Sequence, residues 1–187
     1  MSASPHPPLR QLGLQHGWLE HALRAPRSLR GALTDRGSLT RRLQARHPDF
    51  RVFPVARGLR PPFLDEARAL GLRTKTHAYV RDVLLMGSGH AQVFAHSVLP
   101  RPSLRGGWNG ISRLGTRPLG EALFTDPRIR RLGLSIRRLD ARHPLYRAAQ
   151  RHTGLKVRYL WARRSVFCLG GRPLLVTEVF LPESKRA

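Results

Sequence analysis

Apolar and polar positions alternate with a period of two through much of the second half of the chain. Such alternation is typical of strands with one buried face, whereas continuous apolar runs are typical of strands buried on both faces. Five segments with these patterns are predicted to be strands: 77–86, 91–99, 129–139, 155–169 and 173–181. Glycine-rich turns at 87–89 and 170–171 connect two pairs of them, so these strands are predicted to be antiparallel.

The rest of the chain is predicted to form short helices and one irregular strand. Helical spacing, prolines and capping residues predict helices at 18–25, 39–46, 61–70, 118–124 and 144–151. The first of these is expected to stop near Pro26, and the second to begin after an N-cap at Ser38. Segment 50–56 is rich in β-forming residues, but Pro54 predicts an edge strand or a bulge there. Residues 1–17 are expected to be frayed.

These elements predict a fold of the α+β class, with a single antiparallel β-sheet flanked by helices. The chain shows neither an internal repeat nor a change of composition that would mark a boundary. We therefore expect residues 1–187 to form one domain, and we expect that domain to be a monomer.

The chain is strongly basic, with 34 Lys and Arg residues against 11 Asp and Glu residues and a net charge of +23. Such a surface attracts anionic metabolites and retains nucleic acid in a salt-dependent manner. An arginine bias across a whole proteome would produce the same composition, and the arginines are spread along the chain. The three tryptophans are too dispersed for a base-stacking platform, so no specific nucleic-acid partner is predicted.

The location is predicted from cysteine usage and apolar runs. Cys168 is the single cysteine, so no intrachain disulfide can form and a reducing compartment is favoured. The first thirty residues lack the apolar core of a signal peptide, and no apolar run approaches the roughly 20 residues that span a bilayer. A cytoplasmic protein without a membrane span is expected.

Common signatures of catalysis are missing from the sequence. It has no G-x-S-x-G motif, no P-loop and no dinucleotide fingerprint. The nine histidines are scattered and form neither the helical i, i+4 pair nor the Cys/His pairing that zinc favours. No metal site is therefore predicted.

Two charged residues lie within apolar strands and are candidates for chemistry. Glu178 shares a predicted strand face with Leu174, Val176 and Phe180, where an ionised carboxylate needs a partner. Arg81 lies among apolar residues in another strand and cannot discharge itself, because its pKa is too high. Its anion is Glu178, a group near Asp82, or a ligand, and the sequence leaves these alternatives open.

A third candidate is the pair Arg163-Arg164, which lies inside a predicted strand. Consecutive residues of a strand point to opposite faces, so one of the two arginines is expected to point inward. The competing interpretation is a solvated sheet edge.

Five motifs, in order, resemble the chorismate lyase family. They lie at 81–85 (RDVLL), 97–100 (SVLP), 117–124 (RPLGEALF), 161–165 (WARRS) and 171–182 (GRPLLVTEVFLP). A weaker similarity is found at 38–42 (SLTRR), and the first 30 residues contribute nothing. The resemblance implies a chorismate lyase-like sheet with the ligand beneath helical flaps. It also implies a reaction without metal or organic cofactor, in which chorismate gives pyruvate and 4-hydroxybenzoate, a ubiquinone precursor.

The resemblance also implies roles for particular residues. Arg81 would hold the ring carboxylate, with help from the backbone amides of Leu39 and Leu119. Glu178 would contact the opposite end of the substrate, near the ring hydroxyl and the departing ether.

The chain departs from the family pattern at one position. His96 stands where the family often has an arginine. If that arginine binds the second carboxylate of the substrate, the task would pass to Arg163 or Arg164.

A ligand-sensing domain of the same fold is the main alternative to an enzyme. Such domains accompany a DNA-binding domain in some bacterial regulators and bind an effector without turnover. The chain has little room for a DNA-binding domain, and the basic segment 18–46 is too short and too interrupted by proline for a winged helix.

Overall fold

The computed structural model of the protein describes residues 17–73 and 75–182. Its centre is one antiparallel sheet with the strand order β1-β2-β3-β6-β5-β4. The six strands are β1 Arg51–Arg60, β2 Ala78–Gly87, β3 His90–Pro100, β4 Arg130–Leu139, β5 Leu160–Leu169 and β6 Arg172–Phe180. Except for Gly17, the segment expected to be frayed lies outside the described residues.

Five α-helices cover the two faces of this sheet. They are α1 Arg27–Thr34, α2 Leu39–Arg46, α3 Leu64–Ala69, α4 Leu119–Thr125 and α5 Pro144–Thr153. Short 3₁₀ turns lie between β3 and α4, at Arg101–Leu104 and Ile111–Arg113. Helices α1, α2 and α4 pack on the face that carries Tyr79, Val83 and Val176, which we call the front face. Helices α3 and α5 pack on the other side, which we call the back face. The α+β fold predicted from the sequence is confirmed.

The central strands are buried on both sides, because each face of the sheet has its own apolar core. In β6, Leu174 belongs to the front core, whereas Leu175 and Val179 belong to the back core, and all three are fully buried. A polar side chain on either face of β6 therefore lies between the sheet and the helices packed on that face.

The proline-containing strand behaves as the sequence predicted. β1 is an edge strand, and its register with β2 shifts between Pro54 and Ala56. The N-cap of α2 is also confirmed, because the Ser38 Oγ accepts a hydrogen bond from the amide of Arg41.

Two predicted elements are wrong. Segment 18–25 is not helical, and Leu19 instead forms a β-bridge to Ile136 of β4. Pro26 does not end a helix but precedes the first residue of α1, a place where its fixed φ and missing N–H cost nothing. The strand predicted at 155–169 begins only at Leu160, since the left-handed Gly154 ends α5 and an irregular connection follows.

Candidate functional site

The register of the sheet places Arg81 and Glu178 on the same face. Arg81 lies opposite Ser97 of β3, and Ala95 of the same strand lies opposite Glu178 of β6. Because Ala95 and Ser97 are two residues apart, both pairs point to the front face. The two charged residues are thus separated by two strand spacings and two residues, or about 12 Å between Cα atoms.

Arg81 is a buried cation without a carboxylate partner among the described residues. The residue is 3% exposed, and its Nη2 donates to the carbonyl oxygens of Gly115 at 2.9 Å and Arg117 at 3.1 Å. Burial lowers the pKa of the Arg81 guanidinium, yet an arginine keeps its charge at neutral pH. The two carbonyls bind the group without neutralising it, and its charge is left for an anion.

Glu178 has a different environment, because it is paired with an arginine of the neighbouring strand. Its side chain is 17% exposed, and its carboxylate accepts a hydrogen bond from the Nε of Arg163. Arg163 is 1% exposed and also donates from Nη1 to the carbonyl oxygens of Ala32 at 2.8 Å and Asp35 at 2.7 Å. The carboxylate of Glu178 thus pairs with Arg163 and not with Arg81.

The two arginines also fasten the helices that cover the site. Arg163 binds the last turn of α1 and Asp35, which follows it, and Arg81 binds the loop that leads into α4. Leu39 and Leu119, the first residues of α2 and α4, are both buried. Amides at the start of a helix have no partner within the helix, so these two positions carry free donors above the sheet.

The starts of α2 and α4 are in close contact. A Cβ added at Gly120 would overlap the Oγ1 of Thr40 and lie 3.1 Å from its Cβ. Glycine is therefore the residue that allows the two helix starts to meet over the site.

A pocket of about 650 Å³ adjoins the Glu178 end of the site. It lies between α1, α2 and the ends of three strands, and Leu39, Val93 and Phe180 are among its lining residues. Arg81 and Glu178 are not among the residues that line it.

Arg131 of β4 is a front-face cation that the sequence pattern did not reveal. The register with β5 shifts between Arg131 and Gly133, so that Arg131 lies opposite Phe167 on the front face. Strict alternation counted back from Ile136 would place it on the back face. Gly133, a glycine inside the predicted strand, is the signal that could have marked this shift.

The sequence comparisons identify the family. The family model described as chorismate lyase matches residues 18–185. The chain belongs to the chorismate lyase family. It is 70% identical over 173 residues to a protein of Thiobacillus denitrificans named probable chorismate pyruvate-lyase, covering 92% of both chains. It is 47% identical over 165 residues to a protein of the same name from Methylobacillus flagellatus, covering 88% of this chain and 92% of that one.

Solved structures with the same fold include domains of transcription regulators. The PhnF C-terminal domain matches 69% of this chain and 80% of its own, with a TM-score of 0.54 and 16% identity. A GntR-family regulator from Bacillus cereus matches 74% of this chain and 96% of its own, with a TM-score of 0.52 and 13% identity. At these identities the likeness concerns the fold alone.

His96, the position expected to depart from the chorismate lyase family pattern, points away from the site. It lies opposite Asp82 and Thr177, both on the back face. A side chain at position 96 thus reaches neither Arg81 nor Glu178 across the sheet.

Arg163 and Arg164 are both buried, and the interpretation as a solvated sheet edge is wrong. β5 lies between β4 and β6, so both of its edges are paired, and helices pack on both of its faces. Arg164 points to the back face, where its Nη1 donates to Asp65 at 3.1 Å and its guanidinium lies 4.2 Å from the ring centroid of Trp18. Only Arg163 of the two lies on the face of the candidate site.

The back face holds a charged cluster of its own around His96. The Nδ1 of His96 lies 2.5 Å from Asp82 and the Nε2 lies 3.0 Å from Glu66, while Arg60 also binds Asp82. Burial opposes a charge on His96, but the two carboxylates outweigh it and raise the pKa of His96 to about 10. Glu66 is fully buried here.

Two further findings concern the parts of the chain that the structure describes. They contain no group of three or more His, Cys, Asp and Glu side chains placed to hold a metal ion. None of their helices has the length and apolar character needed to cross a bilayer.

Proposed function

We propose that this member of the chorismate lyase family is a chorismate pyruvate-lyase that produces 4-hydroxybenzoate for ubiquinone biosynthesis. The observation that carries the proposal is the buried, carboxylate-free Arg81 on the same face as the Glu178–Arg163 pair, about 12 Å away. The names of the similar proteins support the same reaction. The cytoplasmic location and the monomeric state stay predictions.

The proposed reaction requires orientation and polarisation more than covalent catalysis. The ether bond between the ring and the enolpyruvyl group breaks, and the ring carbon that bears the hydroxyl loses its hydrogen. Enolpyruvate gains one hydrogen and becomes pyruvate, so the atoms balance without any oxidant or further reactant. The ring becomes aromatic, which supplies the driving force.

Each residue of the site has a proposed task in this reaction. Arg81 binds the ring carboxylate in its two-pronged geometry, and the amides of Leu39 and Leu119 add hydrogen bonds to it. Glu178 accepts a hydrogen bond from the ring hydroxyl and so aligns the bonds that break. Arg163 holds Glu178 in place, because its other donors are fixed by backbone carbonyls.

The helical cover is proposed to keep the reaction dry. Fixed charges stabilise a departing enolpyruvate more strongly when water is excluded. The contact between Thr40 at the start of α2 and Gly120 at the start of α4 is proposed to close the site above the sheet. Entry of substrate would then require these helices to separate.

The test is to mix the purified protein with chorismate and to follow both products. We expect equal amounts of pyruvate, measured with a coupled dehydrogenase, and 4-hydroxybenzoate, identified by chromatography. Recovery of unchanged chorismate from a complex with the protein would instead indicate a sensing domain.

Two substitutions test the assigned roles. Arg81→Ala and Glu178→Gln should each lower kcat/KM by about 100-fold or more, while circular dichroism shows a folded chain. Arg57→Ala is the matched control, since Arg57 is an exposed neighbour opposite Arg81 and its loss should leave turnover at saturating chorismate unchanged. Normal turnover by either site variant would refute its role.

A further inference from the structure

The proposed substrate has two carboxylates, and the site described above accounts for only one of them. This inference rests on the proposed function and concerns the second carboxylate, which belongs to the enolpyruvyl group. A carboxylate that leaves water needs a cation or several hydrogen bonds in exchange. The front face must therefore supply a second positive group.

Arg163 is unsuited to this task although it lies beside Glu178. Its Nε is bound to Glu178, and its Nη1 is bound to two backbone carbonyls. Rotating it towards a ligand would break all three interactions and would leave the carboxylate of Glu178, 17% exposed, without its cation.

Arg131 meets the requirement because the bulge in β4 turns it to the front face. Its Nε donates to the Oγ of Ser165 at 2.8 Å, and its Nη1 donates to the carbonyl oxygen of Arg36 at 2.7 Å. Ser165 lies in the same cross-strand row as Val176, Ser97 and Arg81. Arg81 thus lies at one end of this row and the guanidinium of Arg131 at the other, with the uncharged side chains of the row between them.

The surroundings of Arg131 leave its charge uncompensated. Its guanidinium lies 5.4 Å and 5.9 Å from the ring centroids of Phe167 and Phe124, and no described carboxylate forms an ion pair with it. Burial and the nearby charge of Arg163 lower the pKa of Arg131 to about 10, while Glu178 opposes this shift. The group is therefore charged at neutral pH and close to Glu178.

We propose that Arg131 binds the carboxylate of the enolpyruvyl group and holds it as pyruvate departs. Arg81 and Arg131 then grip the two carboxylates of one dianion from opposite ends of the row, with Glu178 between them. The structure favours this residue over His96 and Arg164, which face the back of the sheet.

The test compares two ligands that differ in the second carboxylate. In Arg131→Gln, the KM for chorismate should rise about 10- to 100-fold, as expected for the loss of hydrogen bonds to a charged group. The Kd for 4-hydroxybenzoate, which lacks that carboxylate, should change less than about 3-fold. Arg131→Lys keeps the charge but loses the planar guanidinium that can make two hydrogen bonds to a carboxylate. Its KM for chorismate should therefore lie between the native value and that of Arg131→Gln.

The matched control is Arg130→Gln. Arg130 is the exposed neighbour that points to the back face, and its substitution removes the same net charge. We expect its KM for chorismate to stay within about 2-fold of the native value, because bulk charge alone contributes little to one bound ligand.

Two outcomes would overturn the assignment. An equal loss of affinity for chorismate and 4-hydroxybenzoate would show that Arg131 only supports the fold, and an unchanged KM would show that it does not touch the substrate. Failure of the proposed function looks different. In that case the native protein releases no pyruvate, whereas calorimetry still reports whether Arg131→Gln weakens chorismate binding selectively.

Discussion

Consecutive charged residues in this sheet belong to different layers and are neutralised separately. Arg163 pairs with Glu178 on the front face, and Arg164 pairs with Asp65 on the back face. Burying an ion is expensive, and removal of one partner leaves the other as an uncompensated charge. The alternation of the strand predicted their opposite directions, but it did not predict their burial, because a local pattern does not distinguish a central strand from an edge strand.

The charge on buried His96 should make the stability of the protein depend on pH. The pKa of His96 is raised from 6.5 to about 10 by Glu66 and Asp82, against the effect of burial. A group with a raised folded-state pKa stabilises the fold fully below its unfolded pKa and loses that effect as the pH passes its folded pKa. The free energy of unfolding, measured with urea, should therefore fall between about pH 6.5 and pH 10.

His96→Gln separates this effect from other titrations. The variant should be less stable at neutral pH by about 3–5 kcal/mol, because two buried carboxylates lose their cation. Its stability should also depend less on pH over the same interval. Parallel pH curves for the variant and the native chain would contradict a charged His96.

At the scale of the element, bulges and prolines decide what the sequence pattern can predict. Pro54 predicted the irregularity of β1, because proline has no N–H to donate to the neighbouring strand. The bulge in β4 is marked only by Gly133, a weaker signal than a proline, so the front-face position of Arg131 was missed. The helix predicted at 18–25 was wrong because tertiary contacts decide the conformation of so short a segment, and there Leu19 pairs with Ile136 of β4.

The contact between α2 and α4 should make ligand binding sensitive to a larger residue at position 120. In Gly120→Ala the new methyl group would overlap Thr40, so the two helix starts must move apart. We expect weaker binding of 4-hydroxybenzoate, by about 10-fold, and a lower Tm, measured by calorimetry. Adding Thr40→Ala should restore part of the affinity by removing the obstructing Oγ1.

Gly31→Ala is the control for this substitution. Gly31 lies within α1, and an added Cβ would have no atom within 4 Å. Alanine should therefore stabilise the chain by up to about 1 kcal/mol through helix propensity and leave affinity unchanged. Equal effects of the two substitutions would mean that the close approach of α2 and α4 does not matter.

At the scale of the whole molecule, the sequence predicted the sheet and its faces better than it predicted the charges. Counting residues placed Arg81 and Glu178 in two strands, but only the strand order and register of the structure bring them to one face. The excess of basic residues was harder to interpret. The structure places Arg81, Arg131 and Arg163 with Glu178 in the candidate site on the front face, so the site itself carries part of the excess.

A dianionic substrate should feel this charge before it binds. Attraction over long distances speeds capture and is screened by salt, because the Debye length falls to about 10 Å at 0.1 M ionic strength. Raising the salt concentration from about 0.02 M to 0.3 M should therefore lower kcat/KM by roughly 10-fold. Stopped-flow fluorescence should assign this loss to the association rate, because contacts within the closed site are screened much less.

Charge reversals on the two faces locate the effect. Arg57→Glu changes an exposed charge beside Arg81, whereas Arg151→Glu changes one on α5, behind the sheet. Both alter the net charge by the same amount. Steering into the front face predicts a slower association for Arg57→Glu than for Arg151→Glu, and the difference should vanish at high salt. Equal rates at low salt would instead mean that only the total charge matters, as a proteome-wide arginine bias implies.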